Sequence, residues 1–424
     1  MGHAISLPYG RGQLEVDLSA YAGRYRIIRS ALSSSPAPLT PDDLYAAFDR
    51  PVGCAPLARL VGTGDSVCIV TSDGTRPFKP MRLMLHAVVE KIGSITDNIT
   101  VLTGSGSHVP HSGEELREIF CTKLFSRLKI VSHDSRSHDN VVVGNSADGS
   151  PIRMNRHYVE ADKRIVLGII EPHIYAGYSG GPKGIAPAIC DIETIRRLHS
   201  YAVIADPTST YGDIEHNACQ TAIRETAACA PPDFLVNVVL DSSQNPVAAY
   251  CGHYIDAHRA GVQWARDLSE VRVDGTFPVV ITTNAGHPLD QNLYQSVKGI
   301  EAAFRIVEPG GSIVIASECA KGVPDGSQFE KVMSMAQTPE TLLTLFANTE
   351  EIIDDQWQAQ RLCRILTTCR VILVSSLTEE KTLRCKLEHA PTVEAALERI
   401  EKTAGPVREI GILADGPTTI PVVG

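Results

Sequence analysis

The chain has 424 residues, of which 43% are hydrophobic, and a formal net charge of −10. This length exceeds one ordinary hydrophobic core, so we expect two domains. The acidic balance argues against nucleic acid or an anionic membrane as a partner, because both require a basic surface. No segment approaches the roughly 20 apolar residues of a membrane span, and the eleven cysteines form no CxxC pair. We therefore expect a cytoplasmic protein with reduced thiols.

Short apolar runs alternate with helical patterns, which predicts an α/β fold with largely parallel sheets. In the first part of the chain, strands are predicted at 67–71, 99–103, 128–132, 164–170 and 234–240. Helices are predicted between them at 81–92, 113–120 and 257–268.

The polar segment 269–276 carries a turn signal and predicts a hinge, so the expected domains are residues 1–270 and 271–424. Strands of the second α/β series are predicted at 277–283, 311–317, 370–376 and 409–415. Its helices are predicted near 292–307, 339–347, 357–368 and 393–403.

Four polar or glycine-rich segments directly follow predicted strands. They are SDGTRP at 72–77, GSGSHVPHS at 104–112, EPHIYAG at 171–177 and NAGHPLDQN at 284–292. Open α/β sheets bind ligands at the carboxyl ends of their strands. Because the fourth segment belongs to the second domain, the sequence predicts an active site in the cleft between the domains.

Residues 171–200 are the most informative stretch of the chain. His173 precedes a glycine-rich loop at 177–184, in which the glycines permit positive φ and a close approach to a ligand. Lys183 lies inside this loop and could clamp a phosphate, form an ion pair or attach a cofactor covalently. A helix is predicted to follow, with Pro187 in its first turn and His199 on it.

The motifs together resemble the nickel-dependent lactate racemases and the related 2-hydroxyacid racemases and epimerases. The resemblance covers nearly the whole chain, and its motifs occur in the same order. They are SLPYG at 6–10, SDGTRP, GSHVPHS, EPHIYAGYSGGPK, HN at 216–217, PLDQNLYQSVKG at 288–299 and DQW at 355–357.

The resemblance implies that Lys183 carries a nickel-pincer nucleotide through a thioamide and that His199 supplies a metal ligand. Square-planar coordination by soft donors and one imidazole suits Ni(II). The residues predicted to bind the cofactor are Lys183, Asp73, Thr75, Ser179, Gly180, Gly181, Tyr294, Gln295 and Trp357. The enzymes that build this cofactor would be transient partners.

His108 and His173 are predicted as a paired acid and base. Racemisation needs a proton acceptor on each face of the substrate carbon, and an imidazole with a pKa near ~6.5 can act as either acid or base. Arg76 and Lys298 match residues that the family uses at the substrate site, and a guanidinium can hold a carboxylate at two points. Which cleft residues hold substrate carboxylate and which hold cofactor phosphate stays open. The structural alternative for each histidine is a buried ring bonded to the backbone.

The predicted function is therefore racemisation of a 2-hydroxyacid by reversible hydride transfer, with lactate as the leading substrate. Alternatives are malate, 2-hydroxyglutarate, an aryl acid or a sugar acid, and a homologue that uses noncovalent NAD. A carrier without turnover would have little reason to keep both His108 and His173. His216 is expected to position site residues without contacting the ligand. The other histidines, His111 among them, are expected to be structural or to lie on the surface.

Overall fold

Every apolar run predicted as a strand forms one in the computed structural model, which describes residues 4–34, 37–74, 76–323, 328–349 and 351–424. The strands are β1 (Ala4–Tyr9), β2 (Gly12–Asp17), β3 (Tyr25–Ile28), β4 (Val67–Ser72), β5 (Ile99–Gly104), β6 (Lys129–Ser132), β7 (Asn140–Asn145), β8 (Pro151–Asn155), β9 (Lys163–Ile170), β10 (Pro172–His173), β11 (Gly177–Tyr178), β12 (Phe234–Leu240), β13 (Pro246–Gly252), β14 (Glu270–Val273), β15 (Phe277–Thr283), β16 (Val307–Ala316), β17 (Arg370–Val374), β18 (Glu388–His389), β19 (Ile410–Leu413) and β20 (Ile420–Val423).

All seven predicted helices are also present, together with shorter ones that the sequence analysis did not identify. The α-helices are α1 (Pro41–Asp49), α2 (Leu57–Leu60), α3 (Phe78–Ile92), α4 (Gly113–Phe125), α5 (Arg156–Val159), α6 (Ile192–Leu198), α7 (Tyr201–Ala205), α8 (Ala218–Ala227), α9 (Asp256–Ser269), α10 (Leu293–Phe304), α11 (Phe329–Met333), α12 (Pro339–Asn348), α13 (Gln356–Leu366), α14 (Glu379–Arg384) and α15 (Val393–Ala404).

The chain divides into two compact units. The first unit comprises Leu32–His199 and Pro207–Asp267, and the second comprises the chain up to Ala31, Ser200–Asp206 and Leu268–Gly424. The main boundary lies close to the predicted one. The N-terminal strands, which the predicted ranges assigned to the first domain, pack instead with the second unit.

The first unit contains a six-stranded sheet in the order β13-β12-β9-β4-β5-β6. All neighbouring strands are parallel except β12 and β13, which form an antiparallel pair. From β4 the chain proceeds outward through β5 and β6, and it then returns to β9 and proceeds the other way. The gap between the carboxyl ends of β4 and β9 is therefore a topological switch point, where ligands bind in open α/β sheets.

Amphipathic helices cover the sheet of the first unit because its strands are apolar on both faces. Leu85 and Val88 of α3 are fully buried in one core cluster with Ile69 of β4 and Val101 of β5. This packing fixes the strand ends from which the polar loops emerge.

The second unit contains a six-stranded, all-parallel sheet in the order β18-β17-β16-β15-β19-β3. Its edge strand β3 pairs with β19, almost four hundred residues later in the chain. Ile5 and Leu7 of the β1-β2 hairpin are buried in the same core. Such long-range pairing is not visible in local periodicity, which explains the difference from the predicted domain ranges.

Two local predictions were wrong. Residues 269–276 are not an irregular segment, because Glu270–Val273 forms strand β14, which pairs in parallel with β20. That this segment acts as a hinge stays a prediction. Pro187 does not open a helix. It lies between a 3-10 helix at Gly181–Gly184 and α6, which begins at Ile192 behind the capping carboxylate of Asp191. The helix begins after Asp191 because this side chain accepts a hydrogen bond from a first-turn amide, which Pro187 cannot do.

None of the helices within the described ranges is both long and apolar enough to cross a membrane. All eleven cysteines of the chain lie in those ranges, and each is a free thiol.

Candidate active site

Three of the predicted polar loops converge at the switch point of the first unit. Asp73 and Arg76 follow β4, His108 follows β5, and His173 lies just after β9. Since β4 is the neighbour of both β5 and β9, its loop lies between the two histidine loops. The sheet order therefore places the acid–base candidates on either side of one polar loop.

His108 forms a hydrogen bond with a buried carboxylate. Its Nδ1 lies 2.7 Å from Oδ2 of Asp73, whose side chain is 7% exposed, while the imidazole is 46% exposed. A carboxylate only accepts hydrogen bonds, so we assign the ring proton to Nδ1 and the lone pair to Nε2. Asp73 was predicted among the cofactor-binding residues, and in the structure it orients His108.

His173 has the opposite arrangement. Its Nδ1 accepts hydrogen bonds from the backbone amides of Tyr175 and Ala176, each at 3.2 Å. We therefore assign its proton to Nε2. The side-chain amide of Asn217 donates to the Tyr175 carbonyl at 2.8 Å and holds this turn.

The turn after His173 depends on Gly177. This residue has a φ of 75°, and a Cβ atom placed on it would lie 2.0 Å from the Asp213 carbonyl oxygen. Asn217, the second residue of the HN motif, is fully buried. His216 is not, since its side chain is 87% exposed and pairs with Asp213. The support expected from His216 is supplied by its neighbour.

The β4 loop is tied to both sides of the site. Nε of Arg76 lies 3.1 Å from Oε1 of Glu171, and both side chains are mostly covered. The Gly74 amide donates to Nε2 of His111 at 3.1 Å, so His111 has the structural role expected of it. Thr75 lies outside the described residues.

The lysine loop, which we define as residues Ser179–Gly184, follows β11. Gly180 and Gly181 have φ values of 81° and 54°, which only glycine adopts without strain. Lys183 is partly covered, and burial lowers its pKa to about 8, with the charge of Arg76 adding to the effect. At neutral pH this amine is therefore neutral more often than an ordinary lysine, and the neutral form is the one that nucleophilic attachment requires.

Ser179 stabilises the loop through its hydroxyl. The hydroxyl donates to the Ile169 carbonyl at 2.8 Å and accepts from the Glu171 amide at 3.1 Å. Two further residues that the sequence analysis missed also contact the loop. They are Asn237, the single polar residue of the strand sequence FLVNVVL, and the fully buried His258 of α9. A polar residue inside a fully apolar strand is a signal that could have identified Asn237.

His199 caps the carboxyl end of α6. Its Nδ1 lies 2.9 Å from the Ile195 carbonyl oxygen and must donate to it, so the lone pair is on Nε2. Burial, with a smaller contribution from the nearby charge of Lys183, lowers the pKa of His199 to about 4. The Tyr175 ring stands edge-on to both His173 and His199, at centroid distances of 5.8 and 6.5 Å.

The remaining predicted residues belong to the second unit. Nε1 of Trp357, which is 3% exposed, donates to the Tyr294 hydroxyl at 2.8 Å. Burial raises the pKa of Tyr294, which stays a neutral phenol. Gln295 and Lys298 lie in the first two turns of α10, and both are partly buried. That these residues share a cleft with the histidines stays a prediction.

Two of the amides at the start of α10 have hydrogen-bond acceptors within their own unit. In the structure the Gln295 amide donates to the side chain of Asn292 at 3.0 Å. The Leu293 amide donates to the Gly322 carbonyl at 3.1 Å. These two donors are already engaged in capping the helix.

The fold and the residues at its switch point define an α/β protein with two histidines and a lysine of lowered pKa near the carboxyl ends of central strands. The chain belongs to the lactate racemase family. Residues 9–212 match the model of the lactate racemase N-terminal domain, and residues 274–421 match that of the C-terminal domain.

Two curated relatives cover almost the entire chain. A lactate racemase of Thermoanaerobacterium thermosaccharolyticum is 33% identical over 98% of both chains. One of Lactiplantibacillus plantarum is 30% identical over 97% of this chain and 98% of its own.

Solved structures show the same fold. The lactate racemase apoprotein of T. thermosaccharolyticum superposes with a TM-score of 0.90, covering 99% of this chain and all of its own at 33% identity. A Thermotoga maritima protein, at 17% identity and a TM-score of 0.72 over 92% of this chain and all of its own, supports the fold alone.

Proposed function

We propose that this protein is an isomerase that interconverts the enantiomers of a 2-hydroxyacid, with lactate as the substrate. One observation carries the proposal beyond the family match. The β4 loop bonds to the first histidine through Asp73 and His108, and to the segment of the second through Arg76 and Glu171. Two proton-transfer groups are thereby attached to one central loop that also carries a cation for an anionic substrate.

Each enantiomer presents its hydroxyl differently, so racemisation needs a proton acceptor and a proton donor in two positions. Nε2 of His108 accepts the hydroxyl proton of one enantiomer, and the Asp73 carboxylate stabilises the imidazolium that forms. Nε2 of His173 serves the other enantiomer. Because each reaction direction ends where the other begins, each histidine acts as acid in one direction and as base in the other.

We assign the substrate carboxylate to Arg76. Its ion pair with Glu171 uses Nε. We assign the two terminal nitrogens of the guanidinium to the substrate carboxylate, which can accept a hydrogen bond from each. Lys298 is proposed as a second cation for the substrate, carried by α10 of the other unit.

The residues present fit a covalently held nickel-pincer nucleotide. Lys183 offers an amine whose pKa is lowered to about 8, and the adjacent glycines give the backbone room beside it. His199 is held as a neutral imidazole with its lone pair on Nε2, the form that binds a metal. When bound, this group would supply an electrophilic pyridinium that takes and returns the Cα hydrogen as a hydride.

Further cofactor contacts are proposed at Gly180, Gly181, Tyr294, Gln295 and Trp357. Asp73 and Ser179 contribute indirectly, because the first binds His108 and the second holds the lysine loop. The enzymes that build the cofactor are proposed as transient partners, and the cytoplasm, with its reduced thiols, as the compartment.

The test begins with protein produced in a host that synthesises the nickel cofactor. We expect intact mass to show an increment, metal analysis to show nickel, and chiral chromatography to show racemisation of lactate. Lys183→Ala should lose the increment, the nickel and the activity, whereas an exposed control such as Lys402→Ala should keep all three. An increment that persists in Lys183→Ala would contradict the attachment site.

The hydride route is tested by running the reaction in D₂O. If the Cα hydrogen leaves and returns internally, Cα stays protiated, and lactate deuterated at Cα reacts more slowly and keeps its label. If a histidine removed the Cα proton instead, solvent deuterium would appear at Cα. An active protein without a mass increment would favour the alternative with noncovalent NAD.

A further inference from the structure

The lysine loop lies directly against two buried side chains of its own unit. Oδ1 of Asn237 accepts a hydrogen bond from the Gly181 amide at 2.8 Å, and Nε2 of His258 lies 2.9 Å from the Ser179 carbonyl oxygen. Both side chains are fully buried. The two hydrogen bonds hold the loop at positions two and four residues before Lys183.

Asn237 and its cross-strand neighbour create the space that the loop occupies. Asn237 of β12 is paired with Gly168 of β9. A Cβ atom placed on Gly168 would lie 2.8 Å from Nδ2 of Asn237 and 3.5 Å from Cα of Gly180. The side-chain amide of Asn237 also donates a hydrogen bond from Nδ2 to the Val236 carbonyl at 3.0 Å, which orients the amide so that Oδ1 faces Gly181.

His258 defines the other side of the loop. A Cβ atom placed on Gly181 would lie 2.4 Å from Cγ of His258, so the imidazole packs against bare backbone. Only a protonated nitrogen can bond to the Ser179 carbonyl, which assigns the proton to Nε2. Nδ1 is buried without a hydrogen-bond partner among the described residues, so the ring stays neutral.

Burying a polar side chain costs free energy that burying an apolar one does not. If these two positions served packing alone, an apolar side chain would therefore stabilise the fold more. We propose that Asn237 and His258 are positioning residues that present the Lys183 amine for covalent loading. They act through the backbone of Ser179 and Gly181 and do not touch the substrate. The inference rests on the proposed attachment at Lys183.

The first experiment needs no cofactor and uses the full-length apoprotein. Hydrogen–deuterium exchange is followed in peptides that cover Tyr178–Gly184, in wild type, Asn237→Leu, His258→Leu and His258→Gln. The leucine variants lose one loop hydrogen bond each, so we expect exchange there to be about tenfold faster or more. In His258→Gln the side-chain amide can donate to the Ser179 carbonyl, so exchange should stay near the wild-type rate.

The second experiment measures loading in the cofactor-producing host as the fraction of folded protein that carries the mass increment. We expect this fraction to fall at least about fivefold in the leucine variants and to be restored in His258→Gln. Tyr158→Phe is the matched control, because its buried hydroxyl donates to the carbonyl of Ala230 in a different segment. It removes a similar hydrogen bond and should load normally.

Normal loading in both leucine variants would overturn the proposal, and so would failure of His258→Gln to recover. If a leucine variant does not fold, Asn237→Ser removes the same acceptor with a smaller change and is judged by the same two measurements. Absence of an increment at Lys183 in wild type would contradict the proposed function, while the exchange experiment would still test whether the two residues hold the loop.

Discussion

His108 and His173 hold their rings in opposite ways. The first donates from Nδ1 to the buried carboxylate of Asp73, whereas the second accepts at Nδ1 from two backbone amides. A second proton on His108 would be stabilised by the carboxylate. A second proton on His173 would face two N–H donors, so its ring must leave these amides before it becomes an imidazolium. The two proton-transfer groups are therefore chemically unequal, although the reaction that they are proposed to share is symmetric.

The largest effect is expected from removing either imidazole. His108→Ala and His173→Ala should each lower turnover by ~10²-fold or more and retain nickel. His199→Ala, in contrast, should lose nickel in addition to turnover. Because the two enantiomers are equally stable, kcat/KM must stay equal in both directions. A difference between the histidines appears only when kcat and KM are measured separately for D- and L-lactate. Loss of nickel in His108→Ala would contradict these roles.

Asp73→Asn should affect proton transfer by His108 and leave His173 unchanged. The variant keeps the size of the side chain but removes the charge that stabilises a protonated His108, and we expect turnover to fall by about 10²-fold. Loading, measured as the mass increment, should be unchanged. A lost increment with intact apoprotein stability would instead return Asp73 to the cofactor site predicted from the sequence.

Arg76→Lys should change kcat and KM by similar factors for D- and L-lactate, because this residue lies on the loop between the histidines. Lysine keeps the charge but not the planar pair of donors, so we expect kcat/KM to fall about tenfold. Steady-state kinetics with both enantiomers measure the effect. Full activity would show that charge alone suffices, or that the substrate carboxylate lies elsewhere.

Acid should destabilise the fold through two buried histidines whose pKa values are lowered. Burial lowers the pKa of His258 and of His199 to about 4, below the usual value of about 6.5. The unfolded chain therefore binds more protons between these values, and stability falls as the pH decreases through that window. We expect the free energy of unfolding to drop by up to about 1.4 kcal/mol per pH unit for each histidine.

Urea unfolding of the apoprotein between pH 4 and 7 measures this slope, and His258→Gln should reduce it. A slope that is unchanged in this variant would show that His258 already carries a proton in the folded state.

The smallest perturbation is to observe the rings without changing them. Nitrogen-15 spectra of histidine-labelled apoprotein should show the Nδ1–H tautomer at His108 and the Nε2–H tautomer at His173. Assignment by His108→Gln and His173→Gln identifies the signals. The same tautomer at both positions would contradict the opposite roles of Nδ1 in His108 and His173.

Local patterns predicted nine strands, seven of the helices and the loops that carry His108, His173 and Lys183, because apolar periodicity and strand-end polarity are properties of short segments. The position of β3 could not be predicted this way, since its partner β19 is remote in the chain. The strand formed by EVRV was missed for the same reason, as its pairing with β20 is a long-range contact.

The sequence by itself determined the α/β class, the family resemblance and the residue types available for chemistry. Only the tertiary structure decided how those residues are used. It made Asp73 the partner of His108, gave His173 two backbone donors and placed Asn237 and His258 under the lysine loop. A ring tautomer depends on which donor or acceptor lies within about 3 Å of each nitrogen. For His108 that distance is set by the pairing of β4 with β5, and for His173 by a tight turn that the remote Asn217 holds in place.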